Sequence, residues 1–318
     1  ALEGPEALGE RGLGARPDPM TPPKDDEVKI TTAATLDKNT KEVQSLLGFT
    51  GGNVDGKFGK NSMKRLNDFQ KRAGLPVTDG FTYDPATVAA LKMASTAIKT
   101  ATQGFLDRVA EGEGATQAKL DANQVVGIGT TPYDMVYNYG RTLAPSQPVS
   151  LMTLTELADY QTDLIAATKG TISVKGKIDP NIGTSAAGKY QIVRESLFGK
   201  GGTAENPKPL SWAYKLKLEP DAVFDADLQE RIGRLALQET GFDNWLNDKK
   251  GARTEDSMLG RVSDIWASVE GNTSGQGIQT KIADLESYLK VLRNKGISEE
   301  EGFVRFSGGV DPLRLANP

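Results

Sequence analysis

The sequence predicts a mostly α (α+β) protein in two parts: a small three-helix domain, then a larger helical domain with a small β-hairpin region. Three observations carry this. Apolar residues recur at spacings of three and four along most of the chain. Asp-Gly and Asp-Pro pairs punctuate the first ninety residues as turns and helix starts do. One stretch, TISVKGKID at 171–179, alternates apolar and polar around Lys175-Gly176-Lys177, the pattern of a hairpin.

In chain order, residues 1–38 are rich in Pro, Gly and charge and lack an apolar period, which predicts a disordered N-terminal tail. No basic region followed by an apolar core marks a secretory signal there. Residues 39–95 form the small domain. Val43, Leu46 and Leu47 make a first apolar face closed by Gly48. Asp55-Gly56 builds a turn. A second helix is expected from Asn61 as N-cap, with Met63, Leu66, Phe69 and Ala73 on one face and Gly74 as its stop. Thr78-Asp79-Gly80 turns again, and Asp84-Pro85 opens a third helix with Val88 and Leu91 inward. Residues 96–103 are small and polar, and either link the domains or extend the next helix.

The larger domain spans 104–296. It opens on FLDRVAEGEG at 105–114, where Leu106, Val109, Ala110 and Glu113 share one helical face. Thr153 to Glu156 reads as a capping box. Three later stripes have core-facing spacing: Phe224, Leu228, Ile232 and Leu235; Val262, Ile265, Trp266 and Val269; and Ile278, Ile282, Leu285, Leu289 and Leu292. Trp266 fits a core position better than a ligand contact. Residues 297–318 read as an acidic, loop-like C-terminal tail with Phe303 and Phe306 docking back.

Composition excludes several chemistries. With 37% hydrophobic and 25% charged residues this is ordinary globular material. No apolar run is long enough to insert in a membrane, and a net charge of −4 gives no basic field for nucleic acid. The chain has no Cys and no His. That removes Cys-His and Ser-His-Asp catalysis and the usual zinc ligands. No metal or cofactor is expected, and acid-base work must rest on carboxylates, lysine or tyrosine.

Glu113 is the candidate acid. It ends an apolar face between Gly112 and Gly114, where desolvation favours the protonated carboxyl. Glu111 shares its face with Gly104, Asp107 and Arg108 and reads as solvated. The competing reading is a frayed helix end with two solvated glutamates.

The segment around Glu113, Tyr133-Asp134, GTSAAGKYQIV at 183–193 and SDIWAS at 263–268 together resemble the bacteriophage lambda lysozyme family of lytic transglycosylases, in that order. The resemblance covers roughly 104–296 and implies a lysozyme-like catalytic domain with Glu113 as the catalytic glutamate. It places Tyr133 and Asp134 near the cleft, and Ser185, Gly188, Lys189, Tyr190 and Gln191 in a substrate-binding loop. Lys189 stands where the family has Arg, which keeps the charge and loses the planar fork. The alternative for that loop is a core entry with Tyr190 buried.

The segments VQSLLG, VDGKFGKNS, DFQKRAGLPVTDG and DPATVAAL resemble the three-helix peptidoglycan-binding domain of cell-wall enzymes. Phe81-Thr82-Tyr83 departs from it, replacing a shorter link. The wall-binding surface is expected near Asp55 and Phe58.

Together these imply a monomeric, phage-encoded enzyme of the bacterial cell wall, a released endolysin or a virion component. Its substrate is the β-1,4 bond between N-acetylmuramic acid and N-acetylglucosamine in peptidoglycan glycan strands. The runner-up is a hydrolytic muramidase pairing Glu113 with Asp134. A third reading is a non-catalytic wall-binding phage protein.

Overall fold

A computed structural model describes residues 33–77, 84–123, 129–174, 177–271 and 279–297. Among them the chain is mostly helical, and the only sheet is the two-stranded hairpin. Helix α1 (Ala33–Leu46) begins inside the stretch expected to be a tail. Helix α2 (Lys60–Ala73) starts one residue before Asn61, with Gly59 at its N-cap and no side-chain cap. The expected Asn61 cap is therefore not used. Gly74, at φ +67°, ends the helix in the left-handed conformation that glycine adopts without a Cβ penalty.

Helix α3 (Pro85–Gly112) is the spine of the molecule. Asp84 caps it by accepting from the Ala86 and Thr87 amides at 3.2 and 2.9 Å, and Pro85 occupies its first turn. Residues 96–103 are the middle of this helix, so the domains share one rod and no flexible link separates them. Its early residues Val88, Ala90, Leu91 and Ala94 complete the small core with Val43, Leu66, Phe69 and Leu75. Its later residues Ala101, Phe105, Leu106, Val109 and Ala110 enter the large core. Each such buried Leu, Val or Phe stabilises by about 1.5–3 kcal/mol. The Thr78-Asp79-Gly80 turn and Phe81-Thr82-Tyr83 lie outside the described residues.

The large domain wraps the second half of α3. Helix α4 (Gln117–Asn123) follows, then short 3-10 turns at Pro132–Asp134, Tyr137–Gly140 and Val149–Leu151. Helix α5 (Leu154–Thr168) opens on the expected capping box: the Thr153 hydroxyl accepts from the Glu156 amide, and Glu156 accepts from the Thr153 amide at 2.8 Å. Strands β1 (Ser173–Val174) and β2 (Lys177–Ile178) pair antiparallel, Ser173 opposite Ile178, where alternation predicted a hairpin.

Helices α6 (Arg194–Phe198), α7 (Trp212–Leu216), α8 (Ala226–Glu239), α9 (Phe242–Leu246), α10 (Glu255–Ile265) and α11 (Ile282–Arg293) complete the fold. Phe224, Leu228 and Ile232 are buried as their stripe requires, as are Val262 and Val269, and Trp266 is a core residue. Leu285, Leu289 and Leu292 of α11 pack along α3, where Gly104 makes room for the Tyr288 ring: a Cβ there would stand 2.3 Å from it. Ile278, Phe303 and Phe306 lie outside the described residues. Ile297, expected in the tail, is buried in the small core instead.

Candidate functional site

Glu113 caps the C-terminal end of α3. Gly114 follows at φ +92° and turns the chain away. The carboxyl lies against the segment after α10, where its Oε1 accepts from the Ser268 amide at 3.0 Å. That segment is itself fixed: the Thr280 amide donates to the Ser268 carbonyl at 3.0 Å, and the Thr280 hydroxyl donates to the Arg108 carbonyl at 3.3 Å. Gly112 is obligatory here, because a Cβ would meet the Thr280 hydroxyl at 1.9 Å and the Ser268 hydroxyl at 2.9 Å. Two glycines and two hydroxyl side chains thus seat one carboxyl.

Glu113 is partly buried, and desolvation pushes its pKa above the ordinary carboxylate range. The Ser268 side chain and amide oppose that push without cancelling it. The Ser268 hydroxyl is itself buried and lies outside hydrogen-bond geometry, so the amide is the firmer partner. Among the described residues, no cation moderates the desolvation. Among the described residues Asp243 is the one other carboxyl raised by burial, and there Lys249 pulls the opposite way. Glu111 is exposed and paired with Arg108 at 2.8 Å, which also holds Asp284 at 3.0 Å. The two glutamates are thus separated as their helical faces predict.

Beside the later part of α3 stands a second polar cluster. The Lys189 ammonium donates to Asp107 at 2.6 Å and to Glu230 at 2.7 Å. Glu230 also accepts from the Tyr190 hydroxyl at 2.8 Å, the Tyr133 hydroxyl at 2.9 Å and Gln103 at 2.8 Å. Burial alone would raise the Glu230 carboxyl, but these four donors hold it below the ordinary range. Burial alone would likewise lower Lys189, yet its two carboxylates drive it up. Glu230 is the residue that sequence reasoning missed.

The loop expected to bind substrate is turned inward. Tyr190 is buried on Gly233 and near Trp266, so its ring does not present a face to a sugar. Gly188, at φ +77°, sits where a Cβ would strike Gln229 at 2.4 Å. Gln229 accepts from the Lys189 amide at 2.8 Å and donates to the Tyr133 and Phe224 carbonyls. Gln191 donates to the Gly188 carbonyl at 2.9 Å, and buried Ser185 accepts from the Arg194 amide at 2.8 Å. Asp134 is buried too: it accepts from the Thr131 hydroxyl at 2.7 Å and the Ser150 amide at 3.2 Å, and it fills the space a Cβ on Gly129 would need. Of the expected site residues, Tyr133, Lys189 and Tyr190 come together around Glu230. Ser185, Gly188, Gln191 and Asp134 serve as loop anchors.

In the small domain, buried Gln44 donates to the Asp55 carboxylate at 2.9 Å and to the Lys57 carbonyl at 3.0 Å, and accepts from the Gly56 amide at 2.9 Å. This amide shapes the Asp-Gly turn and presents exposed Asp55 beside Phe58, which leans on the small core. The Gln44 and Lys57 donors lower the Asp55 carboxyl. Residues 39–91 match the family model described as "Putative peptidoglycan binding domain". The peptidoglycan-binding domain makes this a peptidoglycan-associated protein, with the cell wall as its partner. Neither a curated protein nor a solved structure matches the chain. Among the described residues, no helix is long and apolar enough to cross a membrane.

Proposed function

We propose that this chain is a peptidoglycan-degrading lytic transglycosylase, phage-encoded and acting on the bacterial wall as an endolysin or virion-associated lysin. The observation that carries the reading is the carboxyl of Glu113: partly buried, raised by desolvation, and held by a single backbone amide among the described residues. A carboxyl whose proton is held above the ordinary carboxylate range is suited to act as a general acid. The peptidoglycan-binding domain at the other end of α3 supplies the polymer.

In this mechanism the Glu113 proton passes to the glycosidic oxygen as the bond to the muramoyl C1 breaks. The muramoyl 6-hydroxyl then attacks C1 and returns its proton to the Glu113 carboxylate. One bond breaks, one forms, and no water enters. The nucleophile belongs to the substrate, so no carboxylate pair of the kind ordinary glycosidases use is needed. Asp134 supports this over the hydrolytic alternative, because both its oxygens are already committed to Thr131 and Ser150.

The test is the mass of the products released from purified sacculi. Anhydromuramoyl ends are expected. Reducing ends, heavier by one water (about 18 Da by the stoichiometry of hydrolysis), overturn the transglycosylase reading. Release of neither by folded protein favours a wall-binding protein without catalysis.

A further inference from the structure

The sequence suggests a wall-binding domain tethered to its catalytic partner, but three attachments bind the two together. The first is α3, whose Ala94 lies in the small core and whose Ala101 lies in the large one, seven residues on in the same helix. The second is a contact far from α3 in sequence. Gly48, at φ +80°, lies under Asn247 at the end of α9: a Cβ on Gly48 would stand 2.4 Å from the Asn247 side-chain oxygen and 3.6 Å from an Arg65 nitrogen. The third is the chain after α11. Gly296, at φ +74°, passes so close to α3 that a Cβ would stand 2.2 Å from the Ala94 carbonyl, and Ile297 then buries itself among the small-domain side chains.

The segments that meet at the seam are each fixed within their own domain. Arg65 donates to the Leu47 carbonyl just past α1 at 3.0 Å and lies over the Phe49 ring at 4.4 Å. Lys295 donates to the Leu246 carbonyl closing α9 and pairs with Asp248 at 3.3 Å. Cations at two helix C-termini satisfy carbonyls that have no partner inside their own helix. Asp248 and Lys295 adopt left-handed backbone at φ +48° and +54°, a conformation held only where the surroundings enforce it.

We infer that the peptidoglycan-binding domain is docked in one fixed orientation, so that binding domain and Glu113 read a single glycan polymer together and the enzyme is selective for chains long enough to reach both. A flexible tether raises effective concentration over a range of geometries. A docked domain raises it for one geometry only, and a fragment too short to span gains nothing. The inference rests on the proposed glycosidic activity.

The cysteine-free chain offers a clean test. Gly48→Cys with Asn247→Cys creates the one disulfide the protein can form, locking the seam. Asn247→Trp instead wedges it apart from a partly exposed position outside either core. Turnover is read on sacculi and on a short soluble muropeptide dimer. The locked protein should match its reduced form on both substrates, and the wedge should lose about tenfold or more on sacculi alone. Reversible loss of sacculus turnover on locking, or full sacculus turnover in the wedge, overturns the inference. A disulfide that fails to close also overturns it, without reference to activity, where Gly48→Ala folds with unchanged thermal stability and so excludes backbone strain at φ +80° as the cause. If the unmodified chain cleaves neither substrate, the reading of Glu113 fails while closure of the disulfide still decides the docking.

Discussion

Two carboxylates a few turns apart around α3 have opposite fates. Among the described residues, Glu113 at the helix end has one backbone amide and no cation, and burial raises it. Glu230 is partly buried too, yet an ammonium, two phenols and an amide surround it and pull it down. Desolvation pushes both carboxyls upward, and the supply of donors differs. The lesson is that a buried carboxyl becomes an acid when the fold withholds partners from it. It becomes a structural anion when the fold provides them. On the proposed function Glu113 is the proton donor, whereas Glu230 ties α8 to α3 and to the Lys189 loop.

The largest expected effect breaks the comparison at its reactive end. Glu113→Gln should cut sacculus turnover about 10²–10⁴-fold, the span of a lost general acid, with an unchanged circular dichroism spectrum. Retained turnover removes the acid role.

Breaking the other end should act on stability. Lys189→Met leaves Asp107 and Glu230 facing each other without their cation. Urea denaturation should show a loss of about 3 kcal/mol, at the low end for a broken buried pair because Asp107 is half exposed. Lys189→Arg should recover most of it, since the charge is kept. A silent Lys189→Met would mean the cluster is ornamental.

The fold was legible wherever a helix is held by its own periodicity. The stripes of α2, α8, α10 and α11 and the caps of α3 and α5 lie in local sequence. The middle of α3 was not, because ASTAIKTATQ has little apolar contrast and is helical through its packing on both cores. Glu230 was invisible for a related reason. On α8 it falls off the apolar stripe and reads as solvated, and its burial comes from partners such as Lys189 and Tyr190, 41 and 40 residues earlier. Lys189-Tyr190-Gln191 had the composition of a glycan loop. Only the left-handed turn at Gly188 and Gln191 and the pin from Gln229 send it inward. The signal that singles out Glu113, the end of an apolar helical face between two glycines, is local, and the structure places that carboxyl at the end of α3 against Ser268.

A smaller effect separates the two carboxyls by the sign of their pH dependence. Glu113 binds its proton more tightly in the folded chain than in the unfolded one, where the ordinary value is 4.5. Its charge therefore costs stability, and the cost grows as pH rises from 4.5 through the folded value. Glu113→Gln should gain stability at neutral pH and lose that gain as pH falls to 4.5 and below. Glu230 is held below 4.5, so its stabilisation is complete above 4.5 and disappears as pH falls through the folded value. Glu230→Gln should lose stability at neutral pH, and the deficit should shrink in acid. Parallel pH profiles for the two variants would contradict the contrast.

The smallest effect belongs to Glu111. Its exposed pair with Arg108 should contribute at most about 0.5 kcal/mol, and Glu111→Gln should leave turnover unchanged. Equal loss in Glu111→Gln and Glu113→Gln would dissolve the assignment of roles.

The most direct measurement is the titration of the glutamate side-chain carbons by ¹³C NMR, with Glu113→Gln and Glu230→Gln identifying the two resonances. Glu113 should titrate above the ordinary 4.5 and Glu230 below it. A Glu113 carboxyl that ionises at or below 4.5 would contradict the account, because the site would then hold an anion where the chemistry needs an acid.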